Sequence, residues 1–224
     1  MKRYEISMEI AGATAMWTRP DTGDSPVSYP APTYSAVKGM FEAILWGPAI
    51  QINPQKVEIC APLVYHTYHT NYGGPLRKSS VVKSGGGFQF LSTILIDVCY
   101  RIYAEIEAVG RTAKNLPESA KSWDQKTTSP GHAHQAIFSR RLKRGQCYYV
   151  PNLGWREFVP SYFGPFRETT RVQTELTTVI PSMLREVFPN GYQSNVDAQY
   201  DQNVKITNGT LVFPREVVAC STNS

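Results

Sequence analysis

Cysteine is scarce. The 224 residues hold four, Cys60, Cys99, Cys147 and Cys220, far apart and with no C-x-x-C pair. That spacing suggests neither a zinc ribbon nor a disulfide framework, and scattered thiols suit a reducing cytosol. No run of about 18 apolar residues occurs, so nothing is expected to span a membrane. The start, "MKRYEISMEIAG", has a basic tip, but Glu5 and Glu9 interrupt any signal-peptide core. The stretches "GGPLRKSS" and "KSGGG" lack the spacing of a P-loop, and no G-x-S-x-G or paired-carboxylate motif is visible. Nucleophilic hydrolysis and nucleotide-cofactor chemistry have no support, and neither cofactor nor metal is expected. Internal repeats and low-complexity tracts are missing as well. These absences read as a soluble cytoplasmic protein.

What is present is a 42% hydrophobic chain, enough for one real core or two small ones. Aromatic residues reach 12%, with 13 tyrosines. The net charge is +5 and is unevenly placed. Between Arg111 and Arg156 lie nine Lys or Arg, opposed only by Glu118 and Asp124, so that segment is net +7 and the remainder slightly acidic. A local basic surface of this kind fits a phosphate backbone.

The pattern predicts an α+β chain. "YEISMEI" alternates, with Tyr4, Ile6, Met8 and Ile10 on one face and Glu5, Ser7 and Glu9 on the other, a half-buried strand. After a Pro/Gly/Ser-rich loop, "TYSAVKGMFEAILW" carries Val37, Met40, Phe41, Ile44 and Leu45 on one helical stripe, capped by Thr33 or Ser35 and stopped by Gly47-Pro48. "KVEICAPLVYHTY" reads as one strand. "FQFLSTILIDVCYRIYAEIEAV" is a long one, with apolar even positions from Ile96 to Ala108. A helix is predicted from about His132 to Arg144 with Gly145 as its stop, and then a strand over "QCYYVPNL". Strand, helix, strand, strand, helix, strand is the ferredoxin-like βαββαβ pattern. We expect that domain over 1–155, with a C-terminal antiparallel β-sheet extension over 156–224 that contains an Asn208-Gly209 type I′ hairpin.

Fold alone decides no function. The stretch "SPGHAHQAIFSRRLKRG" places His132 and His134 where a loop meets a helix N-terminus, followed by Arg140, Arg141, Lys143 and Arg144. Metal-free RNA cleavage needs a base for the 2′-OH, an acid for the leaving 5′ oxygen, and cations for charge growing on the phosphate. Histidine can serve either proton role. An ordinary solvated helix end with inert loop histidines fits the same residues. "YHTYHTNYGG" brings Tyr65, His66, Tyr68, His69 and Tyr72; no Cys or carboxylate completes a metal set with His66 and His69. The tyrosines suit base stacking on single-stranded RNA, or else a polar strand edge. Arg77 and Lys78, on a glycine-flanked loop, could close over a backbone or merely decorate a hairpin tip.

"WTRPDTGDSPVSYPAPTYSAVKGMFEAILWGPAI" resembles the N-terminal signature of the type I-C CRISPR-associated Cas-five family (subtype d), within the repeat-associated RNA-binding superfamily. The likeness continues through "YGGPLRK", "IDVCYRIYAEIE", "HQAIFSRRLKRG" and "NGTLVFPREV", most of the chain. The resemblance implies a ferredoxin-like domain with a small β-sheet extension. It also implies metal-independent processing of the CRISPR repeat transcript and retention of the 5′ handle of the mature guide RNA beside the other subunits of an interference complex. Active members carry a Tyr or His before the Trp that ends the first helix; Leu45 stands there, before Trp46. The family's Lys-His pair falls on Ala133 and His134, and a small shift would bring in His132.

Two readings follow from the resemblance. One is an endoribonuclease with His134 as base, His132 or Tyr65 as acid or orienting group, and Arg141 or Lys143 on the phosphate. The other is a non-catalytic subunit that binds the 5′ handle. A third is a subunit that contacts DNA through the loops at 20–32 and 71–87.

Overall fold

The computed structural model describes residues 3–72, 88–108, 118, 129–188 and 196–214. Strand β1 (Tyr4–Ala15) is followed by helix α1 (Tyr34–Ile44) and strands β2 (Ile50–Ile59), β3 (Val64–Tyr72) and β4 (Phe88–Ala108). Helix α2 (Pro130–Lys143) leads to β5 (Tyr162–Gly164), β6 (Thr178–Glu186), β7 (Gln199–Thr207) and β8 (Thr210–Val212). Eight strands form one antiparallel sheet in the order β5-β1-β4-β2-β8-β7-β6, with β3 also on β4. Among the described residues no helix is long and apolar enough to cross a membrane.

The 21-residue β4 is the axis of the sheet. It pairs with β1 from Tyr4↔Ile106 to Ala15↔Leu95, with β2 from Ile50↔Ala108 to Ile59↔Tyr100, and with β3 from Val64↔Ile96 onward. Its even residues from Val98 to Ile106 are buried, as are Ile6, Met8 and Ile10 of β1. Both helices cover that face. Helix α1 starts where Thr33 Oγ1 accepts from Ala36 N (3.2 Å), a cap worth about 1 kcal/mol. Its buried stripe is Val37, Met40, Phe41 and Ile44. Helix α2 answers with Phe138 and Leu142, and the Phe41 and Phe138 rings meet at 5.6 Å. Truncating one such buried phenylalanine costs about 3–5 kcal/mol.

Several expectations are corrected. "KVEICAPLVYHTY" is two strands: β2 begins earlier, at Ile50, and the ladder breaks between Ile59 and Val64, where Pro62 has no N–H to offer. "QCYYVPNL" is irregular rather than a strand. Gly145, at φ +63°, ends α2 and turns the chain back, so that the Tyr148 and Tyr149 N–H groups donate to Ala43 O (2.8 and 3.2 Å). They close the end of α1 instead of joining a ladder. The edge strand beside β1 is the three-residue β5.

The polar face of β1 is not solvated throughout. Glu9 has no exposed surface. Its carboxylate accepts from Arg101 Nε (3.3 Å), Arg167 N (3.0 Å), Arg167 Nε (2.5 Å) and Thr170 Oγ1 (2.8 Å). Burial alone would raise its pKa; the hydrogen bonds from Thr170, Arg167 and Arg101 overcome this and hold it below the usual carboxylate range. The chain after β5 is thereby tied across the second face of the sheet.

The C-terminal strands continue the same sheet. β8 lies on β2 (Lys56↔Val212 to Glu58↔Thr210), and Asn208 and Gly209, both at positive φ, turn β7 into β8. The buried Arg185 donates to both oxygens of Asp201 (3.2 and 3.1 Å) while its guanidinium sits 4.0 Å over the Tyr34 ring. That group fastens the hairpin to the start of α1.

Candidate functional site

Helix α2 opens at Pro130, whose missing N–H costs nothing at a first helical position. Tyr4 lies against its first turn: the Tyr4 and Ser129 hydroxyls are 2.5 Å apart, and a Cβ on Gly131 would fall 2.7 Å from the Tyr4 ring. His134, Phe138 and Leu142 follow at helical spacing on the buried side. His134 is only 8% exposed. Its imidazole lies against Gly47, just past α1, where a Cβ would stand 2.6 Å from Cε1 and 3.3 Å from Nε2. Burial lowers the His134 pKa, which favours the neutral imidazole, the form that accepts a proton.

His132 is exposed, with its ring centroid 5.8 Å from that of Tyr4. Helix residues two apart do not face each other, so the structure does not bring His132 and His134 to one point. Tyr65 is further away. It pairs with Leu95, whereas Tyr4, beside the start of α2, pairs with Ile106. The run from Leu95 to Ile106 spans roughly 36 Å at about 3.3 Å per residue. Burial raises the Tyr65 pKa and Arg19 nearby lowers it. Tyr68, half-buried on the same strand, meets Phe158 edge-on at 5.6 Å. His66 and His69, three apart on β3, point to opposite faces. Arg77 and Lys78 lie outside the described residues. Among those described, no three His, Cys, Asp or Glu converge as metal ligands.

The end of α1 gathers what the sequence scatters. Its last carbonyls are bound by elements distant in the chain: Ala43 O by the backbone of Tyr148 and Tyr149, Ile44 O by Arg141 NH1 at 3.0 Å. Leu45 is buried, 7% exposed, and belongs to the core. Trp46, the next residue, is 60% exposed. Arg140, Lys143 and Arg144 are exposed on the last turn of α2 and beyond it. Sequence reading missed Trp46, Tyr148 and Tyr149 as members of this cluster. The adjacent tyrosines were the available signal, hidden because a short aromatic run also reads as a strand. Glu42 was missed too. Burial raises its pKa, partly offset by Lys38, and its charge raises that of Tyr149, which burial already elevates.

Comparison with known proteins gives a consistent result. The model of a family described as CRISPR-associated protein (Cas_Cas5), of the Cas5d branch, matches residues 6–219. A protein of Thermus thermophilus named CRISPR pre-crRNA endoribonuclease Cas5d is 28% identical over 161 residues, which are 71% of this chain and 63% of that protein. The match therefore spans a little under two thirds of that relative. A protein of Mannheimia succiniciproducens with the same name is 31% identical over 173 residues, 70% of this chain and 71% of its own. Among solved structures, a CRISPR-associated protein superposes with a TM-score of 0.68 at 19% identity, over 99% of this chain and 97% of that one. A functionally uncharacterized protein from Streptococcus mutans does so at 0.65 and 17%, over 96% and 94%. These two likenesses concern the fold.

Proposed function

The chain belongs to the Cas5d family of CRISPR-associated proteins, and from that premise we propose that it binds CRISPR repeat RNA and cleaves precursor CRISPR RNA at His134. The observation that carries this is the position of His134. A buried imidazole, held in its proton-accepting form, packs against the end of α1, and the basic turn of α2 follows on the same helix. His134 takes the proton of the 2′-OH. The 2′ oxygen attacks the neighbouring phosphorus, the bond to the 5′ oxygen breaks, water gives that departing oxygen its proton, and the products are a 2′,3′-cyclic phosphate and a 5′-OH. The guanidinium N–H groups of Arg141 not bound to Ile44 O meet the charge on the phosphate, and Lys143, on the opposite side of α2 from His134, follows the RNA further along. Arg140 and Arg144 track the strand, and Tyr68 with the loop of Arg77 and Lys78 serves more distant RNA. His132, on another side of α2, and Tyr65, at the far end of β4, are assigned to RNA contact rather than to the proton relay.

We read residues 1–155 as a ferredoxin-like RNA-binding domain and 156–224 as its extension. The order β1-β4-β2, with α1 after β1 and α2 after β4, supports this; the fourth strand of the pattern is β5, at 162–164, which comes from the extension on one side of the sheet while β8 joins the other. After cleavage the protein retains the 5′ handle of the guide RNA beside the other subunits of a cytoplasmic interference complex.

The test is incubation of the protein with labelled repeat RNA from its own locus in EDTA. One cut leaving a 5′-OH handle, slowed about 10²–10⁴-fold in His134→Ala, is expected. Tight binding with no product would favour the second reading, a handle-binding subunit without cleavage. The observation on its side is Leu45, which fills the core where active relatives place a Tyr or His.

A further inference from the structure

Four large apolar side chains stand in water near the end of α1: Trp46, Tyr148 at 77%, Tyr149 at 52%, and Val150. The fold does not need them there. The core beneath is filled by Ile44, Leu45, Phe138 and Leu142. The backbone of Tyr148 and Tyr149 is bolted to Ala43 O, three residues before Trp46, so the two aromatic groups share a short stretch of surface. The Tyr148 and Tyr149 rings meet edge-on, 6.0 Å apart at 72°, and both keep much of their surface in water. Around them, residues 129–150 contain no acid, and Arg140, Lys143 and Arg144 are exposed. Glu42 is the acid near Tyr149, and its burial favours the neutral form.

Exposed aromatic groups flanked by cations, with the half-buried Glu42 as the acid beside them, match single-stranded nucleic acid. Every base has a π-face to stack, and the phosphates between bases need positive charge. Aromatic groups beside arginine also suit a protein partner; the stretch 129–150 without an acid is what favours a polyanion here. We propose that Trp46, Tyr148 and Tyr149 form a platform on which unpaired nucleobases next to the scissile phosphate stack. The proposal rests on the cleavage reading above for the location of that phosphate, and it deepens that reading: the substrate presents its cut site in an unpaired stretch. Stacking fixes the sugar whose 2′-OH faces His134, and so acts by positioning.

The experiment uses the whole chain and repeat RNA made uncleavable by a 2′-deoxy residue at the cut. Trp46→Ala, Tyr148→Ala and Tyr149→Ala are each compared with the Phe variants, after thermal melts confirm folding. Each alanine is expected to weaken binding about 5- to 150-fold, the loss of one base–aromatic stack, and each phenylalanine to restore it. 2-Aminopurine placed beside the cut should be quenched by the wild type and released in the alanine variant that faces it. An abasic nucleotide there should weaken wild-type binding while adding nothing to the matching variant. Alanine variants that bind with wild-type affinity and leave the quench unchanged would overturn the proposal. So would variants that bind RNA normally but fail to assemble with other subunits, since the surface would then be a protein contact. Cleavage is read separately on all-ribose RNA. Quenching without a cut sinks the nuclease reading and leaves the platform standing, and cutting without quenching does the reverse.

Discussion

Replacing Gly47 by alanine tests the site without removing any of its groups. Gly47 is not in the left-handed region of backbone space, so alanine fits its conformation. The added methyl would stand 2.6 Å from His134 Cε1, against about 3.5–4.0 Å for an ordinary carbon contact. One of the two must give by about 1 Å. The imidazole is the outer end of a rotatable side chain, whereas Gly47 is backbone, so the ring moves first. A misplacement of about 1 Å at a reacting group can cost about 10²-fold in rate. Overpacking costs about 1–3 kcal/mol, and each kcal/mol lowers the melting temperature of a chain this size by about 2–4 °C. The assay is single-turnover cleavage of repeat RNA in EDTA, well below the melting temperature, with affinity for uncleavable RNA measured beside it. Gly47→Ala should cut about 100-fold more slowly and bind within about twofold of wild type, because RNA affinity is carried by other residues. Combined with His134→Ala it should add no further loss. A folded Gly47→Ala protein that cleaves at the wild-type rate would refute the assignment of His134.

Glu9→Gln should destabilise the protein by about 3 kcal/mol, the lower end for breaking a buried ion pair, because Arg167 is partly exposed and can turn to water; a melting temperature within 1 °C of wild type, against roughly 6–12 °C expected, would contradict it. The native Glu9 pKa lies below the unfolded value of about 4.3. Its contribution is therefore complete above that value and is lost as pH falls through the lower native one, so the stability gap between wild type and Glu9→Gln should narrow in acid. With His134 as base, the cleavage rate should rise with pH along a limb centred below the free-histidine value of about 6.5, and a midpoint at pH 7 or above would argue for another base. Asp201→Ala leaves Arg185 buried without its carboxylate and should cost about 3–5 kcal/mol; urea denaturation reads this directly.

Features set by local periodicity were legible in the chain. The alternation of β1 and of β4, the stripe of α1 with its Thr33 cap, the stop of α2 at Gly145 and the Asn208-Gly209 turn all depend on residues within a few positions of each other. What failed depends on partners far away. "QCYYV" has the composition of a strand, but the Gln146 N–H donates to Arg141 O and those of Tyr148 and Tyr149 to Ala43 O, which no local pattern announces. A three-residue strand such as β5 carries too little period to be seen. Glu9 looks solvent-facing until residues 167–170 cover it. At the candidate site, the family resemblance singled out His134, whose burial against Gly47 only the structure shows, and helix geometry separates it from His132. Tyr65 was grouped with them only because distance along the chain says nothing about position along a strand that long. The aromatic residues at the end of α1 escaped notice because Tyr148 and Tyr149 reach that end only through the hydrogen bonds to Ala43 O.

The order of the sheet also sets when it can close. β2 is finished by residue 59, yet the strand that pairs with its outer edge, β8, comes at 210–212, and the outer edge of β1 waits for β5, at 162–164. On a ribosome adding about 5–20 residues per second, the β2 edge stays open for roughly 8–30 s after its own synthesis. Pairings so distant in sequence also fold slowly once the chain is complete. The nascent protein thus spends much of its birth as an unsealed sheet, open to adhesion between neighbouring chains. A chain cut short before residue 210 would keep that edge for good.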